Sequence, residues 1–139
     1  MNVGTVKNNM LLKIISFNMH VFQQGYLTVQ DLIADCKPDI FLLQEHWLTP
    51  ANLCLFNSRF SDNTLFGGSA ISGCAQKGML CGRPFGGIVS LVNNSLLRHT
   101  VVVHCDKRFV IIGVFNYLII NVHSPCSGSS DRLINAMSY

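Results

Sequence analysis

Apolar runs separated by short polar stretches divide the first fifty residues into strand, helix and strand. Residues 11–18 are apolar and β-branched and end in polar residues, which predicts a strand. Apolar residues then recur at helical spacing over residues 26–36, after a loop at residues 23–25, with Thr28 as the expected N-cap and Pro38 as the stop. Residues 39–45 predict a second strand. Its apolar residues do not alternate with polar ones, so both of its faces should be buried.

The remaining pattern predicts several strands joined by turns. A short helix begins at Pro50 with Thr49 as its cap, and the glycine-rich residues 67–87 predict a long loop. Strands are expected at residues 88–92, 100–104, 108–115 and 117–123, with Asn116 in a hairpin turn, and a helix starts near residues 131–137. This order indicates an α/β fold with a largely β remainder, in one domain without internal repeats.

Composition raises the question of a membrane protein. Hydrophobic residues make up 49% of the 139 residues and charged residues 12%, against roughly 25% charged residues in a typical soluble domain. The longest apolar stretch, residues 109–122, is interrupted by Asn116 and Asn121 and falls short of the roughly 20 residues that a membrane-spanning helix needs. The start of the chain has no pattern typical of a secretory signal. We therefore expect an intracellular protein, nuclear or cytoplasmic, that packs against a further partner rather than against a membrane.

Cysteine usage and charge add little to this picture. The six cysteines are scattered, with no Cys-x-x-Cys pair and no secretory signal, so reduced structural thiols are favoured over disulfides or a zinc site. The net charge of +3 is compatible with nucleic-acid binding but does not by itself argue for it.

Two polar residues lie at the ends of the first two predicted strands. Asn18 ends the first strand, and Glu45, the only glutamate in the chain, follows the second. Strand ends that meet at one edge of a sheet are common places for a site. A carboxylate directly after a buried strand is costly unless it is paired or bound to a cation, and Mg²⁺ suits it. The alternative is a solvated carboxylate at a strand end.

Four short blocks, in order, give the chain a family resemblance. They are residues 16–25 (SFNMHVFQQG), 39–48 (DIFLLQEHWL), 82–87 (GRPFGG) and 121–125 (NVHSP). The first two resemble the opening motifs of the endonuclease/exonuclease/phosphatase family, and the last resembles a later strand of that family. The third block, and the Glu-His-Trp-Leu sequence at residues 45–48, are similar to the endonuclease domains of LINE-type (non-LTR) retrotransposons.

This resemblance implies a fold and a reaction. The fold would be the N-terminal portion of a four-layered α/β sandwich with two packed, mostly antiparallel mixed sheets. The reaction would be Mg²⁺-dependent (or Mn²⁺-dependent) phosphodiester hydrolysis, with Glu45 and Asn18 at the metal and Gln44 supporting them by hydrogen bonding. Asn18 would orient the attacking water or a phosphate oxygen. In retrotransposon members the product is a nick in DNA whose 3′ hydroxyl primes reverse transcription.

The sequence also departs from the family pattern. The Asp-x-Asn motif, a later Asp and the terminal Asp-His pair have no match beyond Pro125, since Asp131 is followed by Arg and Leu. We therefore expect a partial domain over residues 9–139, a disordered tail at residues 1–8, weak or absent activity and weakly held metal. His123 takes the place of the usual tyrosine and is a third candidate catalytic residue. The alternative for His123 is an ordinary histidine at a strand end.

Three further residues are candidates for contact with DNA. Arg83 lies near glycines that permit close approach to a phosphate backbone, although a solvated loop arginine is equally compatible. Trp47 borders the expected site, with core packing as the alternative. His20 stands where other branches of the family carry an acidic or polar residue.

A partial sandwich should expose an apolar face and unpaired strand edges. Self-association, or a C-terminal half supplied in trans, would cover them. The alternative function is therefore a non-catalytic half-domain that binds another protein or nucleic acid. Family members that hydrolyse phosphoinositides or sphingomyelin are a third candidate, which the block at residues 82–87 argues against.

Overall fold

The chain folds into helices and two sheets. The structure, a computed structural model, describes residues 10–69 and 86–124. In chain order the elements of these residues are β1 (Ile14–Asn18), α1 (Phe22–Cys36), β2 (Ile40–Gln44), a 3₁₀-helix (Pro50–Asn52), α2 (Cys54–Arg59), β3 (Asn63–Gly68), β4 (Ile88–Asn93), a second 3₁₀-helix (Asn94–His99), β5 (Thr100–Cys105), β6 (Phe109–Val114) and β7 (Tyr117–Val122).

The strands form one mixed and one antiparallel sheet. The first sheet has the order β1-β2-β4-β3, with β1 parallel to β2 and β4 antiparallel to both of its neighbours. The second sheet has the order β5-β6-β7 and consists of two antiparallel hairpin pairs. This arrangement confirms the predicted α/β class with two mixed or antiparallel sheets.

The first sheet lies between the helices and the second sheet. From β2, Phe41 and Leu43 join a buried cluster with Phe22 and Val29 of α1. Ile40, from the opposite face of β2, joins a second cluster whose members include Val110, Ile112, Val114 and Ile119 of the second sheet. The prediction that β2 is buried on both faces is therefore confirmed, and the two clusters define three layers.

Helix α1 begins earlier than predicted. It starts at Phe22, so Gln23 to Gly25 are helical rather than a loop, and Thr28 lies inside the helix rather than at its cap. The start of α1 is fixed by tertiary hydrogen bonds, because the N–H groups of Val21 and Phe22 donate to carbonyls of the segment after β2. Gly25 suits this helix because a Cβ there would lie 2.7 Å from the Met19 carbonyl oxygen.

Most of the other predicted elements are present in the structure. The strands expected near β1, β2, β4, β5, β6 and β7 and the hairpin turn at Asn116 are confirmed, most of them with bounds within one or two residues. Pro50 begins a 3₁₀-helix, but Thr49 makes no side-chain capping bond. Strand β3 was not predicted, since two glycines follow its short apolar pair. The glycine-rich residues 70–85, the helix at residues 131–137 and the tail at residues 1–8 lie outside the described residues.

The outer face of the second sheet is apolar and exposed, as predicted. Val101 and Val103 of β5 and Leu118, Ile120 and Val122 of β7 are each more than half exposed. Within the described residues no helix combines the length and the hydropathy required to cross a bilayer. The cysteines that the structure describes, Cys36, Cys54 and Cys105, are free thiols.

Candidate active site at the strand ends

The ends of β1 and β2 bring Asn18 and Glu45 to the same edge of the first sheet. Asn18 lies opposite Gln44 in the parallel register. Beyond the strands the two segments stay paired, because the Met19 N–H donates to the Gln44 carbonyl at 2.8 Å and the Val21 N–H to the Glu45 carbonyl at 2.9 Å. Glu45 therefore lies beside the segment that carries Asn18 and His20.

The Glu45 carboxylate is approached by two histidines. His123 Nε2 lies 3.0 Å from Oε1, and His20 Nδ1 lies 3.9 Å from Oε2. The Glu45 side chain is 25% exposed and that of His123 is 20% exposed, whereas His20 is mostly in solvent. Since His123 follows β7, the second sheet contributes directly to the surroundings of this carboxylate.

Asn18 presents its amide at the rim. Its Oδ1 accepts the His20 N–H at 2.9 Å, which orients the amide and leaves the oxygen with a second lone pair. The side chain is exposed. The structure thus brings Asn18, Glu45 and His123 to one edge, while their chemical roles stay predictions.

A buried amide pair joins the two sheets beneath Glu45. Gln44 Nε2 donates to Asn121 Oδ1 at 2.7 Å and to Ser16 Oγ at 3.2 Å. Asn121 Nδ2 in turn donates to the Val89 carbonyl at 2.8 Å and reaches the Leu43 carbonyl at 3.3 Å. Sequence reasoning treated Asn121 as an interruption of an apolar run and as the start of the block at residues 121–125, but gave it no role of its own. The available signal was a polar residue two positions after Ile119, on the buried face of a strand.

His46, the residue after Glu45, is fully buried. The Leu48 N–H donates to its Nδ1 at 2.9 Å, so the ring proton lies on Nε2, which donates to the Gly68 carbonyl at 2.9 Å. Burial lowers the pKa of His46 to about 4 from the usual 6.5, while the hydrogen bond to Gly68 opposes the shift. The sequence showed His46 only as part of a motif, because its burial and its bond to Gly68, 22 residues away, come from the tertiary fold.

Left-handed backbone is concentrated at this site. His20, Val21, Glu45 and Trp47 have φ angles of 47°, 80°, 55° and 56°. A positive φ angle costs about 1–3 kcal/mol for each non-glycine residue, and it persists only where surrounding contacts hold the backbone in place. Strained backbone of this kind is typical of functional sites.

Two of the three residues predicted to contact DNA, His20 and Trp47, lie at this site. The rings of His20 and Trp47 have centroids 5.8 Å apart, so both side chains border the rim next to Glu45. The Trp47 N–H donates to the Gly86 carbonyl at 2.8 Å, and a cleft of about 410 Å³ opens between Trp47 and the start of α1. Arg83 lies outside the described residues.

The rim offers oxygen ligands for a hard cation. The Glu45 carboxylate and the Asn18 amide oxygen fit Mg²⁺, which binds through one or two protein carboxylates and fills its coordination with water and substrate phosphate. Among the residues that the structure describes, no group of three or more His, Cys, Asp or Glu side chains is arranged to hold a metal. Within the described residues, a cation here would therefore have Glu45 and Asn18 as its protein ligands.

Comparison with known proteins identifies the fold. No known family profile and no curated protein sequence matches the chain. Among solved structures, the 3′ phosphatase NExo from Neisseria bound to a product DNA hairpin matches with a TM-score of 0.57 at 18% identity, over 81% of this chain and 41% of that one. An AP endonuclease from Archaeoglobus fulgidus matches with a TM-score of 0.57 at 15% identity, over 87% and 44%.

A third match agrees with these two. The 3′-5′ exonuclease NExo from Neisseria meningitidis gives a TM-score of 0.54 at 18% identity, over 81% of this chain and 41% of that one. The chain thus has the fold of these nucleases and spans less than half of their length.

Proposed function

We propose that this chain is part of a divalent-metal-dependent DNA phosphodiesterase. The observation that carries the proposal is the Glu45 carboxylate, which follows the strand paired with the end of β1 that carries Asn18 and is contacted by His123. The chain shares its fold with DNA nucleases, which supports the same conclusion. The motifs at residues 39–48 and 82–87 further favour the endonuclease domain of a LINE-type retrotransposon, which nicks DNA to prime reverse transcription inside the cell.

In this proposal Glu45 and Asn18 hold Mg²⁺ or Mn²⁺ at the rim. The metal, when bound, neutralises charge on the scissile phosphate and the leaving oxygen. His123 contacts Oε1 of Glu45, while Oε2, on the side of the exposed His20, would face the cation. Gln44 and Asn121 fix the strand end from below, and Asn18 orients a water molecule or a phosphate oxygen.

DNA would reach the rim from the side of His20 and Trp47. Trp47 offers an aromatic surface on which a base can stack, and Arg83 a cation for the phosphate backbone. Since the described residues place one carboxylate at this rim, we propose weak cleavage or none by this chain alone, and weakly held metal.

Nicking of supercoiled plasmid tests the proposal. The purified chain is compared with Glu45→Gln, with Mg²⁺ or Mn²⁺ and with a chelator, and Asp62→Asn serves as control because Asp62 is an exposed carboxylate in the turn between α2 and β3. Metal-dependent nicking that Glu45→Gln abolishes and Asp62→Asn retains is the expected sign of catalysis. Nicking that Glu45→Gln leaves intact would contradict the role of Glu45.

The second candidate function is a non-catalytic half-domain that binds protein or nucleic acid. The exposed apolar face of the second sheet favours it. Folded protein that binds DNA in a salt-sensitive manner without nicking it, under every metal condition, would support this candidate over the first.

A further inference from the structure

We propose that His46 is a positioning residue that fixes the direction of the Glu45 carboxylate, by tying the turn after β2 to the adjoining ends of β3 and β4. The inference deepens the proposed function, because it concerns the residue proposed to hold the metal. The effect of His46 on the orientation of the Glu45 side chain can be tested without metal.

The His46 ring forms two hydrogen bonds, one within its own turn and one to the end of β3. His46 Nδ1 accepts the N–H of Leu48, which closes a local turn over Trp47. On the other side of the ring, Nε2 donates to the carbonyl of Gly68, the last residue of β3. The ring is fully buried, so water does not compete for either bond.

The His46 ring is closely packed against a glycine backbone and an aromatic side chain. Gly87, just before β4, lies against the imidazole so closely that a Cβ at this position would overlap the ring atoms. Phe56 of α2 meets the ring edge-on with centroids 5.4 Å apart. The Gly87 backbone therefore confines the ring, whereas Phe56 only packs against its edge.

The backbone conformation of the two residues that flank His46 indicates which part of the chain the buried ring restrains. Glu45 and Trp47 both have left-handed backbone, which a non-glycine residue keeps only where its surroundings impose it. Backbone bonds supply part of the restraint, from the Val21 N–H to Glu45 and from the Trp47 N–H to Gly86. A further backbone bond runs from the Phe22 N–H to the His46 carbonyl. The two side-chain bonds of His46 add to this restraint, and their loss should loosen the turn that aims Glu45 at His123.

The chemistry of the ring suggests variants that separate its two bonds. In His46→Asn the side-chain oxygen can replace Nδ1 as the acceptor for Leu48. In His46→Gln the longer amide can replace Nε2 as the donor to Gly68. His46→Phe keeps an aromatic ring against Phe56 but removes both bonds. Phe56→Leu is the matched control, because it disturbs the same core and leaves both bonds in place.

The primary readout is an NMR distance measurement in the chain without metal. In the wild-type protein, nuclear Overhauser contacts should link the His123 ring to the Glu45 side chain, whose nearest atoms lie 3.0 Å apart. We expect His46→Phe to lose these contacts, and His46→Asn and His46→Gln to retain them in part. Phe56→Leu should lower Tm yet keep them.

The second readout is Mn²⁺ affinity by electron paramagnetic resonance. Loss of a residue that orients a ligand typically costs about 10–100-fold in metal affinity, and we expect a loss of that size for His46→Phe. Phe56→Leu should stay within about threefold of wild type on the same grounds, because the ligand's orientation is unchanged.

The outcomes separate the inference from the proposed function. Glu45–His123 contacts that survive in His46→Phe, or that Phe56→Leu abolishes equally, would overturn the positioning role. If His46→Phe does not fold, full retention of the contacts by both His46→Asn and His46→Gln would overturn it as well. Absence of Mn²⁺ binding by the wild-type chain would instead count against the metal site, while the NMR contacts still decide the role of His46.

Discussion

Three histidines near one edge of the first sheet differ in their exposure to solvent and in the groups that contact their rings. His20 is mostly solvated, His123 is half-buried on a carboxylate oxygen, and His46 is enclosed between a carbonyl and an N–H. Only the last has both ring nitrogens engaged in the described hydrogen bonds. A histidine of the first kind suits a transient contact with a ligand, whereas one of the last kind stabilises a particular backbone path.

The buried histidine gives a prediction about stability and pH. Because the pKa of His46 is about 4 in the folded protein and about 6.5 when unfolded, the unfolded chain binds an extra proton between these values. The free energy of unfolding should therefore be undiminished above pH 6.5 and fall as the pH drops toward 4, by roughly 3 kcal/mol in total. The groups in contact with the ring, Leu48, Phe56 and Gly68, carry no charge that would offset this effect.

Urea unfolding at pH 7.5 and pH 4.5 measures this term. Carboxylates and exposed histidines also titrate in that range, so the comparison is with His46→Gln, which keeps those groups and lacks the imidazole. The wild-type protein should lose about 2 kcal/mol more than the variant between the two pH values. Equal losses would mean that His46 is not held neutral by burial.

Among the elements, the polar contact between the two sheets is made by one residue of β7, Asn121. Asn121 is the polar residue by which β7 reaches β2 and β4, and its amide meets groups that no water reaches. Asn121→Ala would leave the Gln44 amide without its shortest bond and two carbonyls with less support. Unsatisfied buried polar groups cost about 1–3 kcal/mol each, so we expect a loss of roughly 2–4 kcal/mol in unfolding free energy.

The matched change for Asn121→Ala is Asn57→Ala, which removes the same amide from an exposed position of α2. Urea denaturation should show less than about 0.5 kcal/mol for that control. A similar small loss for Asn121→Ala would show that the amide pair contributes little to the joining of the sheets.

Most strands were predictable because their patterns are local. β2 combines an unbroken apolar run with a preceding Pro38, and β6 and β7 flank a polar Asn116 at the hairpin turn. The start of α1 was not predictable, because the groups that support its first N–H bonds belong to residues 45 and 46. Strand β3 was not predicted for a related reason, because its strand conformation comes from pairing with β4 and not from its own composition.

The site was predictable to the same limited extent. Parallel strand ends were enough to bring Asn18 and Glu45 together, since both follow adjacent strands of one sheet. The parts played by Asn121 and His46 depend on carbonyls at positions 89 and 68, far from either residue in sequence. No pattern of spacing encodes such contacts.

At the scale of the whole molecule, the described residues cover the first sheet on both faces and the second sheet on one. The outer face of the second sheet presents Leu118, Ile120 and Val122 from β7 and Val101 and Val103 from β5. Large apolar patches of this kind mark association surfaces or cause aggregation. Among the described strands, β5 and β7 also pair on one side only, which adds hydrogen-bonding edges to the same sheet.

We therefore expect the chain to self-associate through this face. Leu118→Thr combined with Ile120→Thr and Val122→Thr removes apolar surface and places threonine, which favours strands, at all three positions. Sedimentation velocity over a range of concentrations should show oligomers for the wild-type chain and a shift toward monomer for the triple variant. Leu27→Gln, at an exposed apolar position of α1, is the control and should sediment like wild type.

The same variant separates association from the site. Since the three side chains alternate with Ile119 and Asn121 on β7, they point away from the contact between the sheets. The Glu45–His123 contact should therefore persist in a monomeric triple variant, and DNA binding, if the rim near Trp47 provides it, should persist as well. Unchanged oligomers in the triple variant would exclude this face as the contact. Loss of DNA binding upon dissociation would mean instead that two copies must combine to form the nucleic-acid surface.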